Sequence, residues 1–159
     1  MFMVRAMNKW GYGAFSSTIN ISASTIPDTP NTLVTSIDAS TGNVLITWLA
    51  PNARSSTIDK YLIEIADVNQ TTWSQVLPGC DGSSFVIMSN LQCSIPMSIL
   101  TNAPFSYTLG TTIVARVSAH NANGWSGTST PNTSGATAKT VPAEMSAPLN
   151  GNGTSNTQI

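Results

Sequence analysis

Few side chains in this sequence are of types that do chemistry, and their spacing decides what they could build. There is one histidine, His120, and there are two cysteines, Cys80 and Cys93. A lone histidine cannot assemble a multi-histidine metal site within the chain, and no nucleophile motif accompanies it to suggest a triad. By alternation His120 falls on the outward face of a strand, where an inert surface histidine is expected. The cysteine spacing suits neither zinc nor a CxxC redox motif. It fits a disulfide closing a short loop, which implies an oxidising compartment; the alternative is two buried free thiols. Asp59, Glu64 and Asp67 lie on or near one strand and read as a solvated edge. Asp28, Asp38 and Glu144 are too sparse for calcium at a domain junction. Gly11-x-Gly13 and Gly151-x-Gly153 lack the strand–helix context of a phosphate loop. No catalytic residue, metal or cofactor is expected, and the reading is not that of an enzyme.

Modification chemistry is better represented. Four Asn-x-Ser/Thr sequons occur, at Asn20, Asn69, Asn132 and Asn152, each a candidate for N-glycosylation. They sit in a chain with 8% charged residues, against roughly 25% in an ordinary soluble domain. Ser, Thr and Asn supply the solvation that Lys and Glu usually supply. With a net charge of −1 there is no basic patch for a phosphate backbone, and no apolar run approaches the ~20 residues of a membrane span. Met1 to Arg5 reads as the interior of a strand, not as a secretory leader. Among the aromatics, Trp10 and Trp125 read as caps of a hairpin turn, whereas Trp73 is the freer candidate for contact with a sugar ring or a partner.

These residues are positioned by a repeat. Val4-Arg5-Ala6-Met7-Asn8 followed by Gly11-Tyr12 matches Val117-Ser118-Ala119-His120-Asn121 followed by Gly124-Trp125, an offset of 113 positions. Ile26-Pro27 matches Val141-Pro142 further on. Within the complete period the hydrophobic alternation has period two. Val44, Ile46 and Trp48 share one face, as do Tyr61, Ile63 and Ile65, and as do Ile113, Ala115, Val117 and Ala119. Turn residues separate these runs, at Gly42-Asn43, Pro51-Asn52, Pro78-Gly79, Asp81-Gly82 and Asn123-Gly124. The one helical candidate, Pro96 to Leu100, is a single turn. An all-β antiparallel sandwich follows.

The runs Leu45-Ile46-Thr47-Trp48, Tyr61-Leu62-Ile63-Glu64-Ile65 and Val117-Ser118-Ala119-His120-Asn121, with Pro27 and Pro30 ahead of them, resemble a fibronectin type III domain, an immunoglobulin-like β-sandwich. The resemblance implies a core of Trp48 and Tyr61 packed side by side, with Ile63 and Val117 beside them. The family's tyrosine near the start of the sixth strand falls on Ile113, so its corner hydrogen bond is expected to be absent. The period is longer than usual, and the excess lies around Gly79 to Phe105. The combination of Cys80-Asp81-Gly82-Ser83, Cys93-Ser94-Ile95-Pro96-Met97-Ser98-Ile99-Leu100 and Asn132-Thr133-Ser134-Gly135 is similar to repeats of very large surface proteins of ciliates and other protists.

The expected organisation is residues 1–25 as the last two strands of a preceding repeat, 26–140 as a complete fibronectin type III-like domain, and 141–159 as a linker and the first strand of the next. A two-stranded hairpin is at best marginally stable alone. Residues 1–25 are therefore expected to be tied to neighbouring repeats or copies, head to tail or by strand donation. The functional expectation is an extracellular structural or adhesive repeat protein, glycosylated, forming a filament or surface coat. The alternative is a ligand- or carbohydrate-binding ectodomain, or a spacer of a larger receptor or secreted enzyme.

Overall fold

The computed structural model describes residues 1–140. The expected linker and first strand at 141–159, and with them Asn152 and Glu144, lie outside the described residues.

Alternation of apolar and polar residues, separated by turn sequences, produces two facing antiparallel sheets. The chain begins with a small hairpin of β1 (Met7–Asn8) and β2 (Gly11–Tyr12). There follow β3 (Val34–Ile37), β4 (Val44–Thr47), β5 (Ile58–Ala66), β6 (Trp73–Ser74), α1 (Phe85–Asn90), β7 (Gln92–Ile95), α2 (Met97–Leu100), β8 (Ala115–Asn121) and β9 (Gly124–Trp125). One sheet runs β3-β4-β7 and the other β6-β5-β8-β9. This three-on-four arrangement is an immunoglobulin-like, fibronectin type III-like sandwich.

The buried faces are the ones that the alternation marks. Val44, Ile46 and Trp48 from one sheet meet Tyr61, Ile63, Ile65, Ala115, Val117 and Ala119 from the other. Trp48 and Tyr61 pack edge to face with ring centroids 5.4 Å apart, a geometry that satisfies the ring quadrupoles. The β5–β8 pair is the spine, in register from Lys60↔His120 to Ile65↔Ala115.

Turn chemistry at β3–β4 is local. Asp38 accepts from the Ser40 N–H at 2.8 Å and from the Ser40 hydroxyl at 2.7 Å. Gly42, at φ +72°, completes the reversal.

Three features depart from the sequence reading. Sequence offers Pro96 to Leu100 as its one helical candidate, yet Phe85-Val86-Ile87-Met88 begins a second helix, α1; a six-residue helix is too short to show a 3.6-residue period. Helix α2 does fall on the single turn expected near Pro96. The corner hydrogen bond, expected to be missing, has a substitute: the buried Tyr107 hydroxyl accepts from the Val114 N–H at 3.0 Å. The third concerns the last strand. Beyond β9 the chain is not a regular strand, and its backbone is joined to β8 every third residue. Ser126, Ser129 and Asn132 donate their N–H groups to the carbonyls of Ala119, Val117 and Ala115. The side chains of the same three residues accept from the N–H groups of the same three β8 residues, at 3.0, 3.0 and 2.7 Å.

Candidate functional site

The first 21 residues build a free hairpin, and every one of them is exposed. The hairpin copies the β8–β9 closure at the 113-position offset in strand pairing and in its backbone bonds to the returning segment, although Gly13 lacks the hydroxyl of Ser126 and the Ile19 carbonyl stands in for the Asn132 carboxamide. Met7 pairs with Tyr12 and Asn8 with Gly11, as His120 pairs with Trp125 and Asn121 with Gly124. Gly11 has φ +128° and Gly124 +129°. Asn8 Oδ1 accepts from the Trp10 N–H at 2.8 Å, and Asn121 Oδ1 from the Asn123 N–H at 2.9 Å. The Gly13 N–H donates to Ala6 O, and the Ser16 N–H to Val4 O, both at 2.8 Å. The Val4 N–H donates to the Ser16 hydroxyl at 3.1 Å, the counterpart of Val117 and Ser129. Phe2 and Ile19 close the ladder where Ala115 and Asn132 do. What differs is cover. Val117 is completely buried against β5, whereas Val4 is 74% exposed.

The hairpin leads directly into the loop end of the sandwich, where Asn121 ties three segments together. Its Nδ2 lies 2.8 Å from Thr25 O, 3.1 Å from Ala53 O and 3.3 Å from Ser56 O. Asn123 Nδ2 adds contacts to the Ser24 hydroxyl and to Thr25 O, each at 3.2 Å. Asp28 and Arg54 form an exposed ion pair at 2.7 Å between the same segments. At the other end, Ala138 is fully buried and its N–H donates to Thr111 O at 2.8 Å. The sequence Ala23-Ser24-Thr25-Ile26-Pro27 aligns with Ala138-Lys139-Thr140-Val141-Pro142.

The sequons divide. Asn20 and Asn69 are exposed. Asn132 is a correction: it is buried, and its Nδ2, the atom a glycan would occupy, donates to Ile113 O at 2.9 Å and to Ser134 O at 3.0 Å. It is a structural clamp, and glycosylation there is incompatible with this packing. Its place in the spacing Ser126-x-x-Ser129-x-x-Asn132 was the available signal.

Trp73 is not a bare aromatic face. The Arg116 guanidinium lies 4.0 Å from its ring centroid while pairing with Glu64 at 2.9 Å. His120 Nδ1 lies 2.6 Å from Asp59 Oδ1, and its ring packs on Trp125. Asp59 and Glu64 are therefore paired rather than simply solvated. Trp10 is the most exposed tryptophan, with the Lys9 ammonium 4.7 Å from its ring centroid. Cys80 and Cys93 form a disulfide, both residues buried, with Cα atoms 5.2 Å apart. The bridge pins the loop ahead of α1 to β7. A cleft of about 540 Å³ opens between the β4–β5 loop and α1, lined by Pro51, Ile58, Met88 and Leu91 together with Ser55 and Ser56.

Among the described residues no group of three or more His, Cys, Asp or Glu side chains could hold a metal ion. No helix among them is long and apolar enough to cross a membrane.

No protein-family model matches the chain, and no curated protein matches it. Among solved structures, domains A168–A170 from titin are similar at 24% identity and a TM-score of 0.48, covering 81% of this chain and 37% of that one. The titin kinase with its flanking domains is similar at 21% identity and a TM-score of 0.48, covering 71% of this chain and 17% of that one. The fold assignment rests on the strand order and pairing described above.

Proposed function

We propose that this chain is a module of an extracellular structural or adhesive protein, in which such sandwiches follow one another head to tail to form an extended filament or surface coat. The observation that carries this is the duplication of the closing hairpin. Residues 2–19 reproduce residues 115–132 in register, turn geometry and cross-strand hydrogen bonding, but without a sandwich beneath them. A segment that folds as the closing element of a sandwich fits best beside the remainder of one. The buried disulfide suits an oxidising exterior, and the exposed sequons at Asn20 and Asn69 suit a glycosylated one. The resemblance of the Cys80, Cys93 and Asn132 motifs to repeats of large protist surface proteins belongs to the same reading.

A second reading, a ligand- or carbohydrate-binding ectodomain or a spacer of a larger receptor or secreted enzyme, draws on the cleft beside α1, where Phe85 and Val86 stand exposed on the same helix. The duplicated hairpin favours the first.

Two measurements on material secreted from glycosylating cells test the proposal. Peptide mass mapping before and after enzymatic deglycosylation is expected to find sugar on Asn20 and Asn69 and none on Asn132. Electron microscopy of the native polypeptide is expected to show a regular axial repeat of about 30 Å or somewhat more, set by the nine-residue β5 at ~3.3 Å per residue. Bare asparagines at both sites, together with isolated globular particles, would overturn it.

A further inference from the structure

The free hairpin presents an interaction surface whose occupant can be specified, because the same chain shows its duplicate with the occupant in place. Strand β5 covers β8 across the register Lys60↔His120, Ile63↔Val117, Glu64↔Arg116 and Ile65↔Ala115. Placing residues 2–8 in the position of β8 keeps three contacts and spoils three. Val4, Ala6 and Asn8 stand where Val117, Ala119 and Asn121 stand, so they suit a β5-like strand. Phe2, however, takes the place of Ala115, which is completely buried opposite Ile65; a phenyl ring there overfills the core. Met3 takes the place of Arg116, which pairs with Glu64 at 2.9 Å. Met7 takes the place of His120, whose Nδ1 lies 2.6 Å from Asp59. Docked on this chain's own β5, the hairpin would leave two carboxylates without their partners. Arg5 does not replace them: it takes the position of Ser118 and already lies over Tyr12 and Phe15, at 3.8 and 4.7 Å from the ring centroids.

Resting on the reading above, we propose that the hairpin docks on a non-identical sandwich. In that partner the β5-like strand carries a small residue where this chain has Ile65, and uncharged residues where it has Glu64 and Asp59. The hairpin does not dock on a second copy of this chain. The array then grows as a continuous polypeptide of differing repeats, and strand exchange between identical chains is selected against by Phe2, Met3 and Met7.

The test uses the 159-residue chain with its disulfide intact. Isotope-labelled and unlabelled chains are mixed, unfolded in guanidinium and refolded together, so that exchange is not limited by the folded starting state. Sedimentation gives the size, and isotope-filtered NOEs report contacts between Val4 or Ala6 of one chain and Ile63 or Ile65 of another. For the unmodified chain no such intermolecular contact is expected. The variant F2A/M3R/M7H, altered only on the exposed hairpin, is expected to raise the exchanged fraction at least tenfold and to show those contacts. Contacts between Val4 and Ile63 of different unmodified chains would overturn the inference, as would a variant that exchanges no more than the unmodified chain. NOEs from Val4 to the sandwich of its own chain would instead overturn the modular reading beneath it, and are separable because they survive in unmixed, dilute samples.

Discussion

Asn132 carries more of the fold than its position after β9 suggests. Its carboxamide accepts from the Ala115 N–H and donates to Ile113 O, both bonds buried, and donates also to Ser134 O nearer the surface. Asn132→Ala strands those backbone groups, and each unsatisfied buried group costs about 1–3 kcal/mol. A loss of about 2–4 kcal/mol is expected from denaturant unfolding, against under ~0.5 kcal/mol for Asn69→Ala on the exposed surface. The sequon pattern pointed to a glycan here because it reads three residues and no burial. The clamp itself needed the longer spacing of Ser126, Ser129 and Asn132, residue types usually assigned to loops.

Three aspartates add a pH dependence at the same scale. Asp38 is held below its ordinary value by the Ser40 hydroxyl first, Asp67 by the Thr71 hydroxyl, and Asp81 by the Ser83 hydroxyl. Lowered folded-state values mean that their contribution is present above the ordinary aspartate pKa of 3.8 and is lost as pH falls through the folded values. Burial raises Tyr107 above 10.0, so its contribution is complete below that value and is lost as pH rises through the folded one. Thermal melts across pH are expected to show a plateau through neutrality with a decline at each extreme.

At the scale of elements, the insertion between β6 and β8 depends on its covalent bridge. Cys80 and Cys93 are 13 residues apart, a closure worth about 3 kcal/mol in the chain-entropy account. The double variant Cys80→Ala, Cys93→Ala is expected to lose about that much in urea unfolding, with hydrogen exchange quickening first in α1, none of whose residues is buried. The long strands could be read from sequence because β4, β5 and β8 alternate against a single core. Helix α1 could not, since its run of apolar residues is as compatible with a strand as with a helix. Nor could the two-residue strands β6 and β9, which exist through their partners.

For the whole molecule, the duplicated hairpin was visible as a sequence repeat, and the structure adds its hydrogen-bond equivalence and its uncovered face. The chemistry of the proposed partner was not visible, because it depends on the β5–β8 register, which sets Ala115, the counterpart of Phe2, against Ile65 and Arg116, the counterpart of Met3, against Glu64. The seam between units has a mechanical meaning of its own. Ala23 corresponds to the buried Ala138, and the very next residues, Ser24 and Thr25, are already bound to Asn121 and Asn123. Were Ala23 seated in a preceding module as Ala138 is seated in this one, no unanchored residue would lie between the two. In the proposed array each module would therefore set the azimuth of its successor, and the assembly would advance as a screw of fixed twist, passing torque as well as tension along its axis.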